Sequence, residues 1–160
     1  MKITSSIEYA TRLMVTLGSE YGRAPISAER LAEADNVPGD YVSQLLVKLR
    51  RAGLVTSHRG SAGGYVLARK PAEITLASVV RAVDGAVFEE VCGRYDAGSK
   101  DCRHQGQCAI SPVWSKLGEL VTRYFEGVTL AAILAQKAGA CGASPEWLEK
   151  LASGKQGETR

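Results

Sequence analysis

Pro38-Gly39-Asp40-Tyr41-Val42-Ser43-Gln44-Leu45-Leu46-Val47-Lys48-Leu49-Arg50-Arg51-Ala52-Gly53-Leu54-Val55-Thr56-Ser57-His58-Arg59-Gly60-Ser61-Ala62-Gly63-Gly64-Tyr65-Val66-Leu67 changes its hydrophobic period halfway along. Val42, Leu45, Leu46 and Leu49 recur at i, i+3, i+4 and i+7, which is one buried face of a helix. The opposite face carries Asp40, Tyr41, Ser43, Gln44, Lys48 and Arg51. After Gly53 the pattern becomes that of strands: Leu54 to Ser57 and Tyr65 to Leu67 are short β-branched or aromatic runs. The tip between them, His58 to Gly64, begins basic and holds three glycines able to adopt positive φ.

Upstream, Ser27 is placed to cap a short helix from Ala28 to Asp35, with Leu31 and Ala32 facing inward, and Val37-Pro38-Gly39 forms the turn. Short helix, tight turn and longer helix with a polar N-terminal face make a helix-turn-helix, whose second helix enters the major groove N-terminus first. The hairpin that follows is a wing. Arg59 at its base can reach a narrow minor groove, and the glycines let backbone approach phosphates. A first helix is expected from Thr4, Ser5 or Ser6 to about Tyr21, with Glu8 in its first turn and Ala10, Leu13, Met14 and Leu17 buried. Arg69-Lys70-Pro71 closes the wing; Thr75 then caps a helix from Leu76 to Asp84 with Val79, Val80 and Val83 inward, and Gly85 stops it.

Three of the four cysteines, Cys92, Cys102 and Cys108, fall within the next segment, a stretch of seventeen residues rich in glycine and charge. It shows neither helical nor strand spacing. A loop of this length between helices needs a reason to exist, and a bound cofactor is one. Three thiols in a reducing compartment point to metal or redox chemistry, and the hypothesis drawn from the loop is an iron–sulfur cluster. A zinc site completed by His104 or a carboxylate is the second chemistry open to these residues, and a metal-free thiol–disulfide switch the third. Cys141 lies far away in a Gly/Ala-rich segment and is left out of the site.

Ser111-Pro112 restarts helical structure, with Ser111 as N-cap and Pro112 as first helical residue. Val113, Leu117, Leu120, Val121 and Tyr124 then form a stripe, broadened by Trp114 and Phe125. Such a face fits a dimerisation helix, and the alternative is a helix lying back on its own domain. A palindromic DNA site requires a two-fold protein, which favours the dimer. Thr129 is expected to cap a last helix from Leu130 to Gln136, and the tail to Arg160 turns polar, with a weak helical turn at Trp147, Leu148 and Leu151.

The expected fold is therefore mainly α with a small β-hairpin: a winged helix-turn-helix DNA-binding domain over 1–84, a cysteine-bearing loop over 85–111, a dimerisation helix and short following helix over 112–136, and a flexible tail over 137–160. A chain of 160 residues with 45% apolar and 23% charged content can bury a real core. Its net charge of +3 says little about nucleic acid without the local distribution. There is no apolar run of about 18–20 residues and no signal-peptide core, so no membrane partner and a cytoplasmic place are expected. Walker loops, dinucleotide fingerprints and metalloprotease helices are absent from the sequence, and His58 and His104 are its only histidines, which argues against an enzyme.

Taken together, Ile3-Thr4, Tyr9-Ala10, Ala52-Gly53-Leu54-Val55, Arg59-Gly60 with Gly63-Gly64-Tyr65, Ile74, Val79-Val80, Val83, the three cysteines and Thr129-Leu130 resemble the IscR/NsrR/RirA family of bacterial iron–sulfur winged-helix regulators over about residues 1–135. The resemblance implies a homodimeric repressor on palindromic double-stranded operator DNA that controls iron, iron–sulfur, nitric-oxide or redox-stress genes. It implies that Cys92, Cys102 and Cys108 hold a [4Fe–4S] or [2Fe–2S] cluster, that Tyr41, Ser43 and Gln44 are recognition-helix contacts, and that Arg59 with Gly60 is the wing contact. Glu8 stands where NsrR-like relatives place a carboxylate ligand across the dimer, and His104 is the alternative fourth ligand. Two departures stand out: the nine residues between Cys92 and Cys102 exceed the usual spacing, and Ser111 replaces the histidine that follows the third cysteine in IscR-like members.

Overall fold

Hydroxyl side chains set where the helices begin. Thr4 Oγ1 accepts from the Ile7 N–H at the head of α1 (Ser5–Ser19), and Ser27 Oγ accepts from the Arg30 N–H at the head of α2 (Ala28–Asp35). Thr75 and Thr129 do the same for α4 (Leu76–Asp84) and α6 (Leu130–Leu134). Each such cap contributes about 1 kcal/mol. The remaining helices, α3 (Gly39–Arg51) and α5 (Ser111–Gly127), start without a side-chain cap. This computed structural model describes residues 3–60, 62–88 and 108–136.

Between α2 and α3 the chain reverses at Asn36, which sits in the left-handed region at φ 51° and donates its N–H to the carbonyls of Ala32 and Glu33. Asparagine tolerates this conformation better than other non-glycine residues. Val37 behind it is buried, and Pro38 lies just ahead of α3, outside its first turn. The buried stripes coincide with the periodic ones: Ala10, Leu13, Met14 and Leu17 of α1, Leu31 of α2, Val42, Leu45, Leu46 and Leu49 of α3, and Val79, Val80 and Val83 of α4 form one apolar cluster.

Strands β1 (Val55–His58) and β2 (Gly64–Leu67) pair antiparallel, Val55 opposite Leu67 and His58 opposite Gly64. Ile26, ahead of α2, adds a bridge to Tyr65 through reciprocal backbone bonds of 3.1 and 2.8 Å, so the hairpin is anchored to the helical core. Gly64 makes this approach feasible. It has φ 155°, and a Cβ there would collide with the Ile26 carbonyl.

Beyond the hairpin, a single 3-10 turn (Pro71–Glu73) leads into α4, which Gly85 ends at φ 87°. Thr75 bridges Thr129, and Leu76 N–H donates to the Val128 carbonyl at 2.8 Å, which brings the end of α5 and the start of α6 back onto the core. Phe125 and Leu130 join the same apolar cluster. Some boundaries differ from the sequence reading: α1 ends at Ser19, α6 at Leu134, and Ser111 is the first residue of α5, with Ile110 in the cap position. The weak turn expected at Trp147 to Leu151 lies outside the described residues.

Gly64→Ala is expected to lower unfolding stability by about 1–3 kcal/mol through loss of the Ile26–Tyr65 bridge and backbone strain. Urea denaturation monitored by circular dichroism checks this; a change below a few tenths would contradict the tight approach.

Candidate nucleic-acid interface and cysteine loop

Burying Val42, Leu45, Leu46 and Leu49 forces the opposite face of α3 outward. Ser43, Gln44, Val47, Arg50 and Arg51 are exposed there, at i, i+1, i+4, i+7 and i+8 of one stripe. The stripe carries hydrogen-bonding groups in its first turns, the apolar Val47 in the middle and two guanidinium groups at its end. Amides, hydroxyls and guanidinium groups read base edges or phosphates, and a small apolar side chain suits a thymine methyl. Arg50 Nη1 also donates to Ser57 Oγ of β1 at 3.3 Å, joining α3 to the wing.

Arg59 and Gly60 project at the wing, both exposed. His58 instead lines a cleft of about 440 Å³ with Tyr21, Ile26 and Tyr65, between the end of α1 and the hairpin. Tyr41 differs from its neighbours in α3. It is half-buried, its hydroxyl shares a 2.6 Å hydrogen bond with Ser6 Oγ, and its ring meets Tyr9 edge to face at 5.8 Å. Sequence reasoning did not single out Val47 or Arg50, and it named Ser6 only as a possible helix start. The seven-residue step from Ser43 to Arg50 carried the signal for the first two, but the link between Ser6 and Tyr41 spans 35 positions and leaves no local pattern.

Of the expected cluster ligands, Cys108 and Glu8 lie within the described residues, whereas Cys92, Cys102 and the alternative His104 lie outside them. Cys108 is a free, half-exposed thiol three residues ahead of α5. Glu8 is exposed on the first turn of α1, where Arg12 Nε and Nη2 both donate to its Oε1 at 2.9 Å. With both side chains about half accessible, at 51%, that pair is worth under about 1 kcal/mol and holds the carboxylate only weakly. A half-exposed thiol, an exposed carboxylate and two further cysteines in the sequence between α4 and α5 are a donor set compatible with an iron–sulfur cluster. No trio of His, Cys, Asp or Glu is gathered among the described residues, a set that omits most of the loop.

Helix α5 divides in two. Val121 and Tyr124 are half-buried and Phe125 is 9% exposed against the core, while Val113, Trp114, Leu117 and Leu120 remain 39–58% exposed. Its far end is also tied to α4 by the Arg81–Glu126 ion pair at 2.6 Å. The half nearest the cysteine loop therefore presents a large apolar patch to solvent. No helix among the described residues is long and apolar enough to cross a membrane.

Residues 3–136 match the family model described as Rrf2, iron-dependent transcriptional regulator. The chain is 32% identical over 134 residues to the helix-turn-helix-type transcriptional regulator IscR of Aliivibrio salmonicida, covering 84% of this chain and 77% of that protein. Among solved structures it resembles CymR, the global cysteine regulator of B. subtilis, with TM-score 0.71 and 28% identity over 86% of this chain and 99% of that one. It also resembles IscR of T. potens, with TM-score 0.64 and 26% identity over 88% and 96% of the two chains. These neighbours carry the same hairpin-bearing helical frame, and the chain belongs to the Rrf2 family of winged-helix, DNA-binding transcriptional regulators.

Proposed function

We propose that the protein is a homodimeric, cytoplasmic repressor that reads a palindromic operator and whose affinity for it is set by an iron–sulfur cluster, [4Fe–4S] or [2Fe–2S]. The observation that carries the DNA-reading half is the outward stripe of α3, held by a buried stripe on its other side and continued by Arg59 and Gly60 of the wing. Ser43 and Gln44 supply hydrogen bonds to base edges, Arg59 reaches the minor groove, and Gly60 lets backbone approach phosphate. Residues 1–84 form the reading unit, 85–111 the ligand loop, 112–136 the dimer-forming part and 137–160 a tail.

Cys92, Cys102 and Cys108 provide thiolates, and Glu8 of the partner subunit's first helix the fourth, oxygen ligand, with His104 as the alternative. When bound, the cluster supplies iron that reacts with nitric oxide or oxygen. A carboxylate is a weaker partner for iron than thiolate, and Glu8 is released from Arg12 at little cost. The exposed apolar half of α5 supports two-fold assembly, because burying four such side chains against a copy contributes several kcal/mol at about 25 cal/mol per Å².

A metal-free thiol switch is the second reading, favoured by the likeness to CymR, of which the Staphylococcus aureus protein has been solved in an oxidized form. Zinc held by the same thiolates is the third chemistry, and bound sulfide separates the cluster from both.

Three outcomes test the proposal. Gln44→Ala and Arg59→Ala are each expected to weaken binding to a duplex selected by the wild-type protein by about 1–3 kcal/mol, measured by fluorescence anisotropy at fixed salt; unchanged affinity would remove these contacts. Leu120→Glu should convert dimer to monomer in sedimentation velocity while the circular dichroism spectrum stays helical; a persisting dimer puts the interface elsewhere. For the ligand set, Glu8→Ala should alter the anaerobic absorption spectrum and hasten cluster loss, and an unaltered spectrum and lifetime would return Glu8 to a plain role as a first-turn acid.

A further inference from the structure

Tyr41 lies on the flank of α3 that meets α1, at the edge of the stripe of Ser43, Gln44, Val47 and Arg50 and one turn from Gln44. Its hydroxyl and ring are both engaged: the first with Ser6 at 2.6 Å, the second with Tyr9 at 5.8 Å and an interplanar angle of 84°. Ser6 and Tyr9 are one turn apart on α1, so a single face of that helix's first turns grips the head of α3. Two turns further along the same flank of α3, Lys48 Nζ donates to the Val83 carbonyl in the last turn of α4 at 2.8 Å. The flank of α3 is therefore fastened at two points seven residues apart, and neither fastening uses the outward stripe.

We propose that Tyr41 is a positioning residue for DNA recognition: through Ser6 and Tyr9 it sets the pose of the N-terminal end of α3 without itself meeting a base. This rests on the reading of α3 as the recognition helix. Base edges are met mainly by the first turns of such a helix, and those turns carry Ser43 and Gln44, two and three residues from Tyr41. With Lys48 fixed to α4, a shift of the first turn of α1 becomes a tilt of this end of α3. Glu8 lies between Ser6 and Tyr9 in sequence, so a group held by Glu8 acts on the turn that grips Tyr41.

The test is a double-mutant cycle on the full chain as isolated anaerobically and, in parallel, after removal of iron, read in whichever state binds DNA more tightly, with Ser6→Ala, Tyr41→Phe and the double variant. The duplex is the one most enriched from a random-sequence pool by the wild-type protein, and a scrambled duplex of equal length reports non-specific binding. Either single change should lower affinity for the selected duplex by about three- to tenfold. The double variant should lose no more than either single one, and Ser6→Thr should restore binding. Affinity for the scrambled duplex should stay constant, which a general loosening of the fold would not produce. A loss in Tyr41→Phe with none in Ser6→Ala would overturn the proposal by making the tyrosine hydroxyl a direct DNA contact, as would additive losses. No loss in any variant would overturn it as well. A wild-type protein that enriches no duplex would instead overturn the DNA-reading function itself.

Discussion

Burial of one side of α3 is the constraint on which the other features depend. Val42, Leu45, Leu46 and Leu49 are at most 1% exposed and share their cluster with the stripes of α1, α2 and α4. Truncating one such leucine costs about 2–5 kcal/mol, a large part of the roughly 5–15 kcal/mol that holds a domain together. The exposed ion pairs contribute under about 1 kcal/mol each. Apolar packing thus decides the rotation of α3 about its axis, and that rotation turns Ser43, Gln44, Val47, Arg50 and Arg51 to solvent. The wing follows from the same anchoring, because Leu54, Val55 and Leu67 end in this core and Ile26 clamps Tyr65.

Helix α5 belongs to two environments. Its C-terminal half is fixed to α4 and α1 through Phe125, Leu130 beyond it and the Thr75–Thr129 bridge. Its N-terminal half begins three residues after Cys108 and leaves Val113, Trp114, Leu117 and Leu120 uncovered. One helix thus has one end fixed in the DNA-reading unit and an exposed apolar face at the end that follows Cys108 in sequence. Tyr41 and Lys48 in turn tie α3 to α1, which carries Glu8, and to the last turn of α4.

Local patterns made much of this legible in the sequence. Periodicity placed every buried stripe of the four N-terminal helices, and hydroxyl caps at Ser27, Thr75 and Thr129 placed helix starts, because both act within one or two turns. The turn at Asn36 was read one residue late, since asparagine in the left-handed region is less obvious than the neighbouring Pro38 and Gly39. Ser111 resembled a cap by residue type, yet the helix takes it in as its first residue. For α5, periodicity counted apolar positions without telling which are covered by the same chain, so the stripe divides between Leu120 and Val121. Tertiary pairs such as Ser6 with Tyr41 and Lys48 with Val83 have no sequence period at all. Resemblance to a family nominated Tyr41 by residue type, and its bonds to Ser6 and Tyr9 could be found only in the fold.

Anaerobic purification with iron and sulfide assayed per monomer, absorption and EPR spectra recorded, and affinity for the selected duplex measured before and after chelation of iron tests the account most directly. The account predicts a brown protein with near-stoichiometric sulfide, cluster absorption bands and a DNA affinity that changes when iron is removed. A colourless protein containing zinc or no metal, or an affinity indifferent to iron removal, would contradict it.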